Sequence, residues 1–471
     1  MAGLFDILGI AARSLQTQQT AITVTGNNLA NSSNPAYARQ RAEIVESPST
    51  PSSVGLIGTG SEVTTIEQIR SALVDGQIQS EASTMGYWQQ QQEALQTAQA
   101  DLGQQITTST AGGDTTTAQG ISGALSDLFD AFQGLSTDPT SMAQRQVVLM
   151  KASNLADQFN QASQELGSLR ASLNDTLQSN VADANSLLSD IANLNSEIST
   201  EELQSKGSAN DLRDERQAKI EELSGLVKID TAPQADGTVN VSIGGQLLVS
   251  GGSVMDTLQT HDAGGGQLVV QTATGGTTLT LGGGSMQGII DVRDGSLATL
   301  SGDLDSLASQ LITQVNTIHD AGYSLTGSTN AKFFEGSDAG TISVNTALLD
   351  DPSLLQASGT SGVTGDNQVA LQLAQLATQP LAGLDNQTLG QSYDGSVASL
   401  GQALSSANGN VSDQQIIQNM LQQQRDSVSG VSIDEEMTNL MTYERAYQAS
   451  AQVITVVDTL LASLMDVKQT A

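Results

Sequence analysis

The 471-residue sequence has no cysteine, two histidines and one tryptophan, and aromatic side chains make up only 3% of it. Without thiols there is no disulfide framework, no thiolate nucleophile and no cysteine-held metal. His261 and His319 stand far apart in elements of different expected type, so each reads as a satisfied or exposed side chain rather than as half of a metal site. Basic residues are also scarce, 17 against 50 acidic, and the resulting net charge of −33 argues against nucleic acid and anionic membrane as partners. No run of about 18 apolar residues occurs, so no membrane-spanning helix is expected. No basic stretch followed by an apolar core opens the chain, which implies that any export reads no cleaved signal. Glycine never precedes lysine and no serine sits in a G-x-S-x-G setting, which removes the phosphate loop and the nucleophile elbow. With no catalytic constellation, the sequence predicts no enzyme, no cofactor and no metal.

What the chain does have is two apolar stripes, one at each end. In the first, Leu4, Leu8, Ala11, Leu15, Gln18, Ile22, Thr25 and Leu29 recur at alternating spacings of four and three, one face of a helix. In the second, Met437, Leu440, Glu444, Tyr447, Ala451, Ile454, Leu461 and Leu464 follow the same heptad rhythm, broken by Glu444 and Asp458. Two such stripes predict a terminal coiled coil, whose bland counterpart is an ordinary intramolecular bundle. The charge supports burial of the ends: Asp6 and Glu43 against Arg13, Arg39 and Arg41 leave residues 1–45 with a net +1, and residues 432–471 carry −4, so most of the acidity lies between them.

Between the ends the expected fold is mainly α, with a long-helix body and an inserted small antiparallel β domain. Asn31, Ser32, Ser33, Asn34 and Pro35 should stop the first helix. Residues 46–62, with Pro48, Pro51 and three glycines, read as an extended linker. A helix is expected over about 67–106, interrupted near Gly86, with Trp88 as a packing anchor beside Leu95, Ala98 and Leu102. Residues 107–119 read as a polar loop, and a short helix follows with Leu125, Leu128, Phe129, Phe132 and Leu135 on one face. Asp138 and Pro139 form a helix start, after which a near-heptad pattern from Val148 to Ile198 predicts a rod of roughly 90 Å. Another helix covers 210–227, where Asp211, Asp214 and Glu215 beside Arg213 and Arg216 read as a solvated ion-pair face. Alternating apolar and polar residues broken by glycines then predict strands over 228–288. Helices resume at 297–318 and 393–421, residues 320–365 carry no clear period, and Ser432 with Glu435 makes a capping box for the last helix. The organisation expected is therefore 1–45 with 432–471 as a terminal domain, 46–227 with 289–431 as a helical body, and 228–288 as a β-rich outer domain.

The stretch TGNNLANSSNPAYARQ, residues 25–40, resembles the N-terminal signature of the bacterial flagellar rod, hook and hook-associated proteins, with Asn27, Asn28, Asn31, Pro35 and Tyr37 matching. Ala36 stands where that family has glycine. IDEEMTNLMTYERAYQASAQVITVVDTLLASL resembles the family's closing helix. The middle segments LSDLFDAFQGLSTDPTSMAQRQVVLMKASNLADQFN, NDLRDERQAKIEELS, GGSMQGIIDVRD and VNTIHDAGYSLTG are similar to the hook-associated branch that joins hook to filament. That resemblance implies a structural subunit stacked with copies of itself in a helical ring, with the terminal helices lining an inner tube. It implies as neighbours the hook protein and the second hook–filament junction protein, type III export with an export chaperone, and an extracellular place in the flagellum. The assembly residues it implies are Leu4, Leu8, Leu15, Ile22, Asn27, Asn28, Leu29, Asn31, Pro35, Tyr37, Met437, Leu440, Tyr447, Ile454, Leu461 and Leu464. Two other readings stay open at this point, a hook or rod subunit and a secreted adhesin or effector that kept axial ends.

Overall fold

The computed structural model describes residues 2–52, 55–102, 120–204 and 209–470. The first helix, α1 (Ala2–Ala30), stops where the Asn-Ser-Pro text begins. Residues 40–68 are not a linker but a long β-hairpin, in which β1 (Gln40–Glu46) pairs antiparallel with β4 (Ser61–Gln68) and the tip continues as β2 (Thr50–Ser52) with β3 (Gly55–Ile57). A two-stranded ribbon is all edge, so Pro48 and Pro51 forgo no interior ladder bond, and this is why proline text that reads as a breaker is compatible with strand.

Four helices follow: α2 (Ala72–Asp101), α3 (Gly120–Thr137), α4 (Met142–Gln204) and α5 (Asn210–Leu226). Helix α2 runs unbroken through Gly86. A Cβ there would lie 2.1 Å from the Gly225 carbonyl oxygen, so this glycine serves the close crossing of α2 and α5 rather than a break. The expected polar loop at 107–119 lies outside the described residues. In α3, Leu125, Leu128, Phe129, Phe132 and Leu135 are all buried, as their spacing requires. Helix α4 begins three residues after Pro139. The Ser141 hydroxyl accepts the Gln144 N–H, while the Pro139 carbonyl is taken by the buried Arg145 guanidinium at 2.7 and 2.9 Å, so Asp138 and Pro139 shape a preceding turn instead of capping.

The 63 residues of α4 make a rod of about 95 Å. Its buried positions Val148, Ala152, Leu155, Phe159, Ala162, Leu166, Leu169 and Leu173 alternate by four and three, take extra four-residue steps through Leu177 and Val181, and return to the heptad at Ala184, Leu188, Ile191, Asn195 and Ile198. The strands β5 (Asp230–Pro233), β6 (Val239–Ile243), β7 (Gln246–Ser250) and β8 (Ser253–Val254) form one antiparallel sheet, and β9 (Leu258–Asp262) pairs with β10 (Leu268–Thr272) as a separate ribbon. Their inward residues Val239, Val241, Ile243, Leu248, Val249 and Val270 belong to the same continuous core as α4.

Helix α6 (Gly284–Asp291) passes through a turn of π-helix into α7 (Leu297–Asp320). Followed by α9 (Gln368–Gln375), the segment without a clear sequence period, residues 320–365, holds β11 (Phe334–Glu335), β12 (Ser343–Val344) and α8 (Thr346–Asp350). It wraps His319, which is fully buried: Nδ1 donates to the Ala331 carbonyl at 2.6 Å and Nε2 accepts the Gln356 N–H at 2.9 Å. Burial holds this imidazole neutral, its pKa pushed down to about 4, so it is a core histidine. His261 is exposed on β9. Helix α10 (Leu389–Ser429) ends at Gly430, and α11 (Ile433–Thr470) returns to pack along α1.

Candidate assembly site at the meeting of the two chain ends

Helices α1 and α11 pair antiparallel. The Ser14 and Ser450 hydroxyls meet at 2.8 Å, and Asn28 Nδ2 donates to Glu436 Oε2 at 3.0 Å, so each step of fourteen residues along one helix is matched by fourteen on the other. Helix α1 also rests on β1 and β4, with the Thr17 hydroxyl donating to the Ser61 carbonyl at 2.8 Å. Two neighbours explain which residues of α1 are buried: Ala11, Thr17, Ala21, Val24, Thr25 and Asn28 lie between α11 and the hairpin.

Of the stripe read from the sequence, Ala11 and Thr25 belong to this packed face and the rest lies beside it. Leu4, Leu8, Leu15, Ile22, Asn27 and Leu29 are half-buried, and Phe5 and Ile7 are exposed. On α11, Leu440, Ile454 and Leu461 are half-buried whereas Met437, Tyr447 and Leu464 are exposed, together with Val456 and Leu460. Val457 is the buried apolar residue of this helix. Between Leu389 and Met465 an 18-residue helical window reaches a mean hydropathy of 1.2 with only 6% of it buried. The expectation that no segment matches a membrane span in length and apolarity was therefore too strict, because scattered Thr, Ser and Asp residues hide the apolar average from a search for unbroken runs.

The signature residues converge at the other end of the pair. Asn28, 1% exposed, makes four hydrogen bonds: Nδ2 donates to the Gln40 carbonyl at 2.8 Å and to Glu436, and Oδ1 accepts from the Gln40 N–H at 2.9 Å and the Tyr37 hydroxyl at 2.8 Å. This one amide uses its full hydrogen-bonding capacity and ties α1, the turn, β1 and α11 together. Asn31 Nδ2 donates to the Asn27 carbonyl and side chain, closing the end of α1. Asn34 Oδ1 accepts the Ala36 N–H, making the turn in which Pro35 is exposed. Ala36 is not among the described residues with positive φ, so alanine sits there without strain. Burial, followed by the charges of Asp211, Asp214 and Glu436, raises the Tyr37 hydroxyl pKa and keeps it a neutral donor to Asn28.

Charged groups complete the junction, and sequence reasoning missed them. Arg39 grips Glu436 through Nε and Nη2, both at 2.8 Å, and Glu435 through Nη1 at 2.7 Å, so the Glu435 carboxylate turns to Arg39 rather than back to its own helix end. Only the Ser432 half of the expected capping box forms. Asp214 and Arg216, expected on a solvated face, are each only 7% exposed. Asp214 accepts the Ala38 N–H, the Gln68 amide at 2.9 Å and Arg70 at 2.5 Å, which fastens the turn to α5. Burial raises the Asp214 carboxyl pKa, with Arg70 and the Ala38 N–H opposing it. Arg425 of α10 bridges Asp75 and Glu221, joining α10 to α2 and α5. A cleft of about 720 Å³ separates the 31–39 turn from the α10–α11 connection. An arginine-to-glutamate pairing across some 400 residues has no local signal; the Asp-Glu-Glu text at 434–436 was the only hint.

The arrangement holds surfaces together and presents no nucleophile with an adjacent base; among the described residues no group of three His, Cys, Asp or Glu side chains could hold a metal. Residues 112–334 match the family model described as the flagellar hook-associated protein FlgK helical domain, and residues 422–467 match the C-terminal model of the flagellar basal body rod FlgEFG proteins. The chain is similar to the flagellar hook-associated proteins in its helical body and to the flagellar rod proteins at its C-terminal end. It is 28% identical to flagellar hook-associated protein 1 of Bacillus subtilis (strain 168) over 515 aligned residues, covering 99% of both chains. It is 23% identical to the protein of that name in Salmonella typhimurium, covering 98% of this chain and 100% of the other. The flagellar hook junction protein FlgK from Burkholderia pseudomallei shares the fold, with a TM-score of 0.65 over 75% of this chain and all of the other at 16% identity. With such relatives along its whole length, the chain is a structural component of the bacterial flagellum.

Proposed function

We infer that this chain is the subunit that joins hook to filament, and that it assembles by packing its terminal helices against those of neighbouring copies. The observation that carries the reading is the apolar surface of α11, where Val453, Val456, Leu460 and Leu464 are 42–54% exposed within the subunit. A face of this kind is stable in water only when a partner covers it. In this reading residues 1–45 with 432–471 form the inner tube, the helical body surrounds it, and the strands of 228–288 face outward. Half-exposed Leu4, Leu8, Leu15, Ile22 and Leu29, with Met437, Leu440, Tyr447, Ile454, Leu461 and Leu464, make the intersubunit contacts. Asn27, Asn28, Asn31, Pro35 and Tyr37 fix the pair to the body. Hook protein and the second junction protein are its axial neighbours, and it leaves the cell by the flagellar type III route with an export chaperone. Electron microscopy of cells lacking the gene tests this: hooks that carry no filaments are expected, and filaments of normal length would overturn it.

A further inference from the structure

Far from the terminal pair, the chain's single tryptophan lines a cleft of about 510 Å³ between α2 and the loop leading into α6. Its volume is that of a small-molecule site. Trp88 is partly exposed and stands edge-on to Tyr87, with ring centroids 4.8 Å apart at 80°. The Tyr87 hydroxyl donates to Asp291 Oδ2 at 2.9 Å, and Gln287 Nε2 donates to Asp291 Oδ1 at 2.7 Å, so the carboxylate is held fixed with a lone pair on each oxygen still to offer. Burial and the Asp291 contact push the Tyr87 pKa up to about 12, so the hydroxyl remains a donor.

The opposite wall is bare backbone. A Cβ at Gly283 would lie 2.5 Å from Ser83 Oγ, and one at Gly284 would lie 2.4 Å from the Leu226 carbonyl oxygen, so the strap can only be glycine. Exposed Lys228 and Thr280 stand at the rim, with Ser80 and Thr84 on the α2 side. An aromatic surface beside a fixed carboxylate, an amide, hydroxyls and one ammonium is the donor and acceptor set that matches a ring of vicinal hydroxyls with an apolar C–H face. An anionic ligand is disfavoured by the Asp291 carboxylate in the cleft lining and by the chain's overall net charge of −33.

We propose that this cleft binds a neutral saccharide, with the sugar's C–H face on Trp88 and its hydroxyls on Asp291, Gln287 and Lys228. The sole tryptophan makes the test direct. Titrating the full chain with glucose, galactose, N-acetylglucosamine and their short oligomers to millimolar concentration should give a saturable change in Trp88 emission with at least one of them. The Asp291→Asn and Lys228→Ala variants, folded by circular dichroism, should bind that sugar about tenfold more weakly by calorimetry, a loss of roughly 1.4 kcal/mol. Trp88→Phe, read by calorimetry alone, should weaken it similarly. An unchanged emission with every sugar, or undiminished binding by the folded variants, would overturn the proposal.

Discussion

Helix α4 and the pair α1–α11 carry the same heptad text and use it in opposite ways. In α4 the stripe is covered by neighbouring helices and strands of its own chain, and Leu155, Phe159, Leu188 and Ile191 are fully buried. In the terminal pair the packed face is built from small and polar residues, while larger apolar side chains such as Phe5, Leu460 and Leu464 remain about half exposed. Heptad spacing therefore says that a helix will find a partner, and not whether that partner lies in the same chain. The other difference is how the regions are fastened. The body is held chiefly by apolar area, and the ends chiefly by the Asn28, Tyr37, Arg39 and Glu436 cluster.

One device is common to both. Asn28 takes both backbone groups of Gln40, Asn185 takes both of Leu258, Asn195 takes both of Val239, and Asn316 takes both of Phe334. A helical asparagine thus substitutes for a neighbouring strand, fixing the position of an extended segment against a helix. The device suits a chain with few aromatic anchors, because hydrogen bonding supplies the register that large side chains supply elsewhere.

The comparison can be broken first where burial is complete. Phe159→Ala should cost the body about 3–5 kcal/mol in thermal or denaturant unfolding, whereas Leu464→Ala, at a position 48% exposed, should leave the monomer's transition nearly unmoved. Equal losses from the two would erase the distinction. Next comes acid. His319 is neutral when folded, with a pKa of about 4, and takes up a proton when unfolded below about 6.5, so stability is present above pH 6.5 and is lost as pH falls toward 4. The loss should approach about 3 kcal/mol in urea titrations across that window, and His319→Gln should flatten the slope. A third, smaller effect is local: Asn28→Ala strands the Gln40 backbone groups, while Glu436 keeps Arg39, and should cost about 2 kcal/mol. Amide exchange should rise in α1 and α11 while α4 keeps its protection; uniform loss would contradict separate fastening.

Much of the fold was legible because its helices are long and periodic, and the α4 stripe from Val148 to Ile198 shows this most plainly. Glycine and proline misled where they serve contact rather than termination, at Gly86 against Gly225 and in the hairpin containing Pro48 and Pro51. At the junction Asn28, Asn31 and Tyr37 were legible as a motif. The partners Arg39, Asp214 and Glu436 were not, because their burial is created by folding across hundreds of residues, and a carboxylate beside arginines in sequence looks the same buried or solvated.

The smallest expected effect on the subunit carries the largest consequence for assembly. Ile454 is half-buried on the face shared by the terminal pair and its proposed neighbours, and a charge there is costly once copies pack. Ile454→Asp, expressed in place of the native chain, should leave the body's unfolding transition unchanged while the protein fails to enter flagella and filaments do not form. Incorporation at the native level, with normal filaments, would contradict the assignment of the two chain ends as the assembly element.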